Sequence, residues 1–194
     1  PLHQTVPYNS AAYGCDYANP VRVVDGGESA IDNSGDIIAT ASAVGGIGYI
    51  YGAVALGAFP AGITNAGHIS AVTDADDALA VGSLANSFYG DATVQNSGTI
   101  GAKATGDIAS ASGVAVHSGY GVQVDNTGSI VAAAYGPAAT ATGALLESGG
   151  THALANTGTL GAIAKGDDAL AMGMQVHGFQ TSLPLQNAGT ISAS

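Results

Sequence analysis

Carboxylates recur at one place in a repeating pattern of this chain, where they could do chemistry. Asp76, Asp107 and Asp167 each lie just before a short Ala-rich segment, and Pro137 occupies the equivalent place between the last two. If these residues stack in a folded repeat, they could bind calcium or act as the acid and base of a polysaccharide-cleaving enzyme. Aspartate is also common in solvated turns, so we expect solvated turn residues and keep a weak cation site and catalysis as alternatives. The other members of this acidic corner are Asp74, Asp77 and Asp168.

Two histidines and a glutamate form a second candidate. His117, Glu147 and His177 follow one another at a constant interval along the chain. Histidine and carboxylate side chains bind zinc, but layers about 4.8 Å apart would separate the two histidines by about 10 Å, too far for one ion. We therefore expect a surface hydrogen bond between Glu147 and one histidine. The remaining histidines, which form no cluster in the sequence, are His3, His68 and His152.

The complete sequence carries no familiar catalytic motif. It has no nucleophile elbow, phosphate-binding loop, Cys–His pair or metal-binding helix motif. Three basic and fourteen acidic residues give a net charge of −11, which disfavours nucleic acid and anionic membranes as partners. The single cysteine, Cys15, cannot form an internal disulfide. We predict a protein that is not an enzyme, with no catalytic, cofactor-binding or metal-binding residues and no cofactor.

A repeated phrase must position these residues. It occurs as IDNSGDI, ITNAGHI, VQNSGTI, VDNTGSI, LANTGTL and LQNAGTI. Its apolar residue, Asn, Gly and Ile or Leu occupy alternate positions, which indicates β-strands with one buried face. A second strand follows in each unit, as in DALAVG and IASASG, and a third leads back to the next phrase. The anchor asparagines, which recur at a nearly constant interval, are Asn33, Asn65, Asn96, Asn126, Asn156 and Asn187.

Three strands and three corners in each unit predict one rung of an all-β parallel β-helix (β-solenoid), with about six rungs of about 30 residues. The anchor asparagines would hydrogen-bond to one another inside it. The glycine two residues later would allow either a turn conformation or a close backbone approach. We assign residues 31–194 to the repeats, and residues 1–30, which lack the phrase, to an N-terminal cap over the first rung.

The phrase V/I-x-N-S/T-G-x-I-x-A-x-A, followed by x-A-x-A-x-G and a return strand, resembles the β-helical passenger regions of autotransporter adhesins. It is similar also to the repeats of filamentous-haemagglutinin-like exoproteins. The resemblance covers residues 31–194 and implies a right-handed parallel β-helix that is secreted or displayed on the bacterial cell surface. It implies adhesion or self-association, with a host or cell-surface protein or glycan as partner. An autotransporter would reach the membrane only through a downstream outer-membrane barrel, so we expect a passenger fragment.

Other interpretations stay open. The ALAVG and ALAMG phrases are similar to the left-handed heads of trimeric autotransporter adhesins, whose repeat is shorter. A self-assembling extracellular filament subunit would use the exposed edge of the last rung, and a polysaccharide-active β-helix (a lyase or hydrolase) would use the acidic corner. Thr99, Ser129 and Thr159 resemble the outward hydroxyl files of ice-binding solenoids, although Asp36 and His68 interrupt this file.

Overall fold

The computed structural model describes residues 4–7, 16–18, 21–178 and 185–194, with the backbone alone for 4–7, 16–18 and 44–45. Cys15 lies outside these residues. All regular structure within them is β-strand, and no helical segment there has the length and apolar character of a membrane span. The strands are β1 Gln4–Pro7, β2 Asp16–Ala18, β3 Val21–Asp25, β4 Ser29–Asn33, β5 Asp36–Gly57, β6 Ala61–Asn65, β7 His68–Ser87, β8 Ala92–Asn96, β9 Thr99–Thr105, β10 Ile108–Ser118, β11 Gly121–Asn126, β12 Ser129–Tyr135, β13 Ala138–Ser148, β14 Thr151–Asn156, β15 Thr159–Lys165, β16 Asp168–Gly178, β17 Leu185–Asn187 and β18 Thr190–Ala193.

The strands stack in parallel as a β-solenoid of about six turns, which confirms the fold that the repeat predicts. The strands that end at the anchor asparagines form one sheet, in the order β4, β6, β8, β11, β14 and β17. The remaining strands form a second, twelve-stranded sheet. Asn65 pairs with Asn96 and Asn96 with Asn126, so residues at equivalent positions of successive repeats pair with each other in the sheet.

The core has a wide aliphatic part and a narrow alanine part. Alternate residues face inward, as Ile100, Ala102 and Ala104 do in β9. The aliphatic part contains the residues two positions before and four positions after the anchors. The alanine part joins alanines of β9, such as Ala102 and Ala104, to alanines of β10, such as Ala109 and Ala111. Small side chains thus fill the end of the cross-section where the two strands converge.

The anchor asparagines form the predicted ladder inside the solenoid. Asn65 Nδ2 donates to Asn96 Oδ1 at 2.8 Å, and Asn96 Nδ2 donates to Asn126 Oδ1 at 2.8 Å. Each interior Nδ2 also donates to a backbone carbonyl of the next turn, Thr99 for Asn65 and Ser129 for Asn96. The ladder therefore satisfies buried amides that would otherwise lack partners.

The glycine of the phrase serves close backbone approach and not a turn conformation. None of the six phrase glycines has a positive φ. A Cβ on Gly128 would overlap the carbonyl oxygen of Gly98 in the preceding turn, and one on Gly98 would overlap that of Gly67. Of the two reasons that the sequence left open, the structure selects the second.

Strands β1, β2 and β3 extend the larger sheet beyond β5. Gln4 pairs with Ile37 and Val21 with Ala53. The separation of these partners along the chain is close to the spacing of the repeat, although this N-terminal segment lacks the Asn-x-Gly phrase. Its backbone therefore adds a further layer along the edge of β5.

Strands β5 and β7 have no interruption at the first corner of their units, where the sequence predicts one. They continue for 22 and 20 residues, whereas in later turns one strand ends and the next begins at this place, as β9 and β10 do. The interruption begins at Gly106, and the register of β7 places Ala75 at the equivalent position. A Cβ on Gly106 would overlap the carbonyl oxygen of Ala75. The corner thus forms where glycine replaces alanine.

Candidate functional site

The acidic corner lies on the surface of the larger sheet. Asp74, Asp76 and Asp77 lie inside strand β7, so the prediction of turn residues is wrong for these three. Asp107 and Asp167 do lie in the corners before β10 and β16, and Asp168 is the first residue of β16. Asp76 and Asp107 are exposed, as predicted for solvated residues. A shallow cavity of 350 Å³ covers this place, and none of the described residues that line it is basic. Its lining consists of Gly46, Ile47, Asp76, Asp77, Asp107 and Ile108.

The second candidate is a hydrogen-bonded pair. His117 Nδ1 lies 2.8 Å from Glu147 Oε2, which confirms the predicted surface hydrogen bond. His177 pairs with Glu147 in the register of the strands, but its Nε2 contacts the side chain of Gln175. In the described part of the chain, no three His, Cys, Asp or Glu residues form a group that could hold a metal ion.

His117 and Glu147 belong to an outward row of four polar residues, which we call the polar row. It runs through Asn86, His117, Glu147 and His177, which are paired in sequence along β7, β10, β13 and β16. Successive members are about 4.8 Å apart along the solenoid. Three of them were found from the sequence and Asn86 was missed, although it follows its anchor at the same distance as the other three follow theirs.

An open groove of 600 Å³ runs beside the polar row, and we call it the corner groove. It lies at the return corner, where the chain leads back into the sheet whose strands end at the anchor asparagines. Gly119 and Gly149 contribute only backbone to it. Gly149 N–H donates to the carbonyl of Ser118, and Gly119 N–H donates in the same way to the carbonyl of Ser87 one turn earlier. These matching bonds show that Phe88, the residue after Ser87, is the counterpart of Gly119 and Gly149. The groove therefore has a polar wall, a glycine floor and an aromatic side chain at one end.

Buried serines beneath the groove hold the return corner together. Ser118 Oγ donates to the Gly90 carbonyl at 2.6 Å and accepts a hydrogen bond from Tyr120 N–H at 2.8 Å. Ser87 and Ser148 make the equivalent pair of bonds in their own turns. Each hydroxyl gives its only proton to a backbone carbonyl. These serines thus link neighbouring turns and are not positioned as nucleophiles for the polar row.

We predict that Ser118→Ala lowers the free energy of unfolding by about 2 kcal/mol, because it leaves the Gly90 carbonyl and the Tyr120 N–H without their partner. Urea unfolding followed by circular dichroism measures this loss. Ser110→Ala on the same strand is the matched control, since no hydrogen bond of its hydroxyl is seen among the described residues, and should change stability by less than about 0.5 kcal/mol. Equal effects of the two substitutions would contradict the structural role of Ser118.

Exposed aromatic side chains gather at the return corner. Phe59, Phe88, Tyr89 and Tyr120 expose 52%, 65%, 69% and 59% of their surface. They belong to successive turns, and Tyr89 N–H donates to the carbonyl of Ala58 in the turn before. This group was not found from the sequence, because the return corners differ in length. The available signal was that Tyr89 and Tyr120 follow their respective anchors at the same distance.

The hydroxyl file of the ice-binding hypothesis forms a short row in the structure. Thr99, Ser129, Thr159 and Thr190 pair in sequence across β9, β12, β15 and β18. His68 pairs with Thr99 and ends the row on that side. Ice binding stays a prediction.

No protein-family model, curated protein or solved structure matches this chain. The autotransporter and haemagglutinin-like resemblance accordingly stays a hypothesis. The function is therefore inferred from the geometry of the solenoid and from the residues that it exposes.

Proposed function

We propose that this chain is a non-enzymatic, secreted or surface-displayed bacterial β-solenoid that acts as a rigid adhesive or stalk segment. The observation that carries the proposal is the polar row beside the corner groove, a hydrogen-bonding surface that continues from one turn to the next. Solenoids use extended surfaces of this kind to contact partners.

The interior of the solenoid supports a stiff element. Backbone ladders join each turn to the next on both sheets. The asparagine ladder adds side-chain hydrogen bonds in the same direction, with Asn126 Nδ2 donating to Asn156 Oδ1 at 2.7 Å. Because these bonds all run along the axis, they resist separation of the turns. A stalk or adhesin needs this property.

The charge of the chain restricts its partners. The net charge of −11 favours neutral or basic surfaces, because anionic polymers would be repelled. Self-association between neighbouring solenoids is compatible with the low charge content, since only 9% of the residues are charged. Sedimentation velocity over a range of protein concentrations would separate self-association from binding to a second molecule.

Adhesion can be tested with beads that carry the protein in controlled orientation. We expect these beads to remain under flow on surfaces coated with glycans or host-cell proteins, and beads coated with an equally acidic inert protein to wash away. Retention of neither bead type on any surface would contradict the adhesive function. Fractionation of source cells with an intact-mass measurement tests display: the adhesin interpretation expects the chain in the outer-membrane fraction within a larger product.

A polysaccharide-cleaving activity at the acidic corner is the second candidate. The cavity lined by Asp76 and Asp107 is the observation in its favour. Incubation with a panel of polysaccharides, followed by reducing-end and unsaturated-product assays, tests it directly. Release of product that Asp76→Asn and Asp107→Asn both abolish would establish the enzyme, and no release by the unmodified protein would eliminate it.

A further inference from the structure

We infer that the corner groove binds an uncharged polysaccharide chain that lies along the solenoid axis. This inference deepens the proposed adhesive function, on which it rests, by naming the class of ligand. It depends on three features of the groove: hydrogen-bonding groups at regular spacing, a floor without side chains, and an exposed aromatic ring at one end.

The polar row offers hydrogen-bonding groups that the protein does not use. Within the described residues, Asn86 makes no side-chain hydrogen bond, and Glu147 uses only Oε2 and His117 only Nδ1. Asn86 supplies a donor and an acceptor, and the second nitrogen of His117 and second oxygen of Glu147 add two further sites. These groups are about 4.8 Å apart along the axis. A sugar ring in an extended polysaccharide has a similar length, so successive rings meet successive side chains.

The floor and the end of the groove suit sugar rings. Gly119 and Gly149 line the groove without side chains, so a ligand there can lie against the backbone. Phe88 exposes 65% of its surface at the end of the groove. An aromatic face packs against the apolar face of a sugar ring while the ring's hydroxyls remain free for hydrogen bonds.

Other ligand classes fit the groove less well. An extended peptide that adds a strand would need an unpaired strand edge. Strands β7, β10 and β13 beneath the groove are paired on both sides, and among the described strands that line it the free edge is that of β16, at the far end. Acidic polysaccharides would meet Glu147 and a net charge of −11. Of the described residues that line the groove, none is a lysine or an arginine. A neutral, hydroxyl-rich polymer needs neither an unpaired strand edge nor a basic side chain for binding.

The test uses uncharged hexasaccharides of glucose, mannose and N-acetylglucosamine as probes, with oligogalacturonate as the charged comparison. Calorimetry or saturation-transfer NMR measures binding to the whole chain. We expect at least one uncharged probe to bind, and Phe88→Ala and Glu147→Ala each to weaken it about tenfold. Phe59→Ala is the matched control: Phe59 is an exposed aromatic residue of the same corner outside the groove, and its loss should leave affinity unchanged.

The possible results separate the groove from the adhesive function. No binding of any uncharged probe, unchanged affinity in Phe88→Ala and Glu147→Ala, or tighter binding of oligogalacturonate would overturn the inference. Circular dichroism confirms that the variants are folded. If beads carrying the unmodified protein adhere and beads carrying the groove variants adhere equally, the inference fails and the adhesive function stands. If no beads adhere while the probe binds, the adhesive function fails and the groove assignment stands.

Discussion

Asn126→Ala is expected to lower the free energy of unfolding by about 4 kcal/mol, because three hydrogen bonds are lost and buried groups are left without partners. Asn126 is buried, donates to Asn156 Oδ1 at 2.7 Å and to the Thr159 carbonyl at 2.9 Å, and accepts from Asn96 Nδ2 at 2.8 Å. Asn126→Asp should be at least as damaging, since it keeps the shape of the side chain but removes both donor hydrogens. Urea unfolding followed by circular dichroism measures the loss.

The matched control is Asn187→Ala at the last anchor. Asn187 is exposed and accepts a single ladder bond, from Asn156 Nδ2 at 2.7 Å. Its removal should therefore cost no more than about 1 kcal/mol. Hydrogen exchange of the amides in β8, β11 and β14 shows whether the loss spreads to neighbouring turns. Similar losses at Asn126 and Asn187 would contradict the argument that burial within the ladder sets the effect.

Gly128→Ala is expected to destabilise the solenoid by about 3 kcal/mol, because the added methyl group forces two turns apart. A Cβ at this position would overlap the Gly98 carbonyl oxygen and lie 2.7 Å from the carbonyl carbon of Ser97. Both are backbone atoms, so no side chain can move aside. Thermal and urea unfolding measure the change.

Gly101→Ala is the control for this prediction. Gly101 lies on the adjacent strand of the preceding turn, and the nearest atom to a Cβ there is the Ile69 carbonyl oxygen at 4.0 Å. The substitution should leave stability unchanged or raise it by about 0.5 kcal/mol, since alanine restricts the unfolded chain. A loss at Gly101 as large as that at Gly128 would show that glycine matters here for a reason other than backbone approach.

The anchor column was predictable because stacking repeats one environment. In a parallel solenoid, Asn96 meets Asn65 and Asn126, so a residue that bonds well to a copy of itself recurs at each turn. The burial of Ile100, Ala102 and Ala104 was predictable as well, because alternate residues of a strand face the same side of the sheet. The function of the phrase glycine could not be read from its recurrence, since a turn and a close approach select the same residue.

The candidate site was only partly predictable. The hydrogen bond between His117 and Glu147 followed from their common offset, because stacked residues lie within reach of each other. The continuation of strand β7 through Asp76 and Asp77 could not be predicted in this way, because it depends on how Ala75 packs against the next turn. The inward position of Ser118 and its bonds to Gly90 and Tyr120 depend on the path of the return corner, which has no constant length in the sequence.

The residues of the repeat were sufficient to define the all-β solenoid, its register and its interior, because each recurring residue must stack on its own counterpart. Which residues of the return corners share a surface was set by the folded chain alone. Phe88, Glu147 and the backbone of Gly119 line one groove because the return corners of three turns are superimposed. Those corners vary in sequence, and no periodic pattern constrains them. The groove arises from the three-dimensional paths of these corners, so the repeat alone could not reveal it.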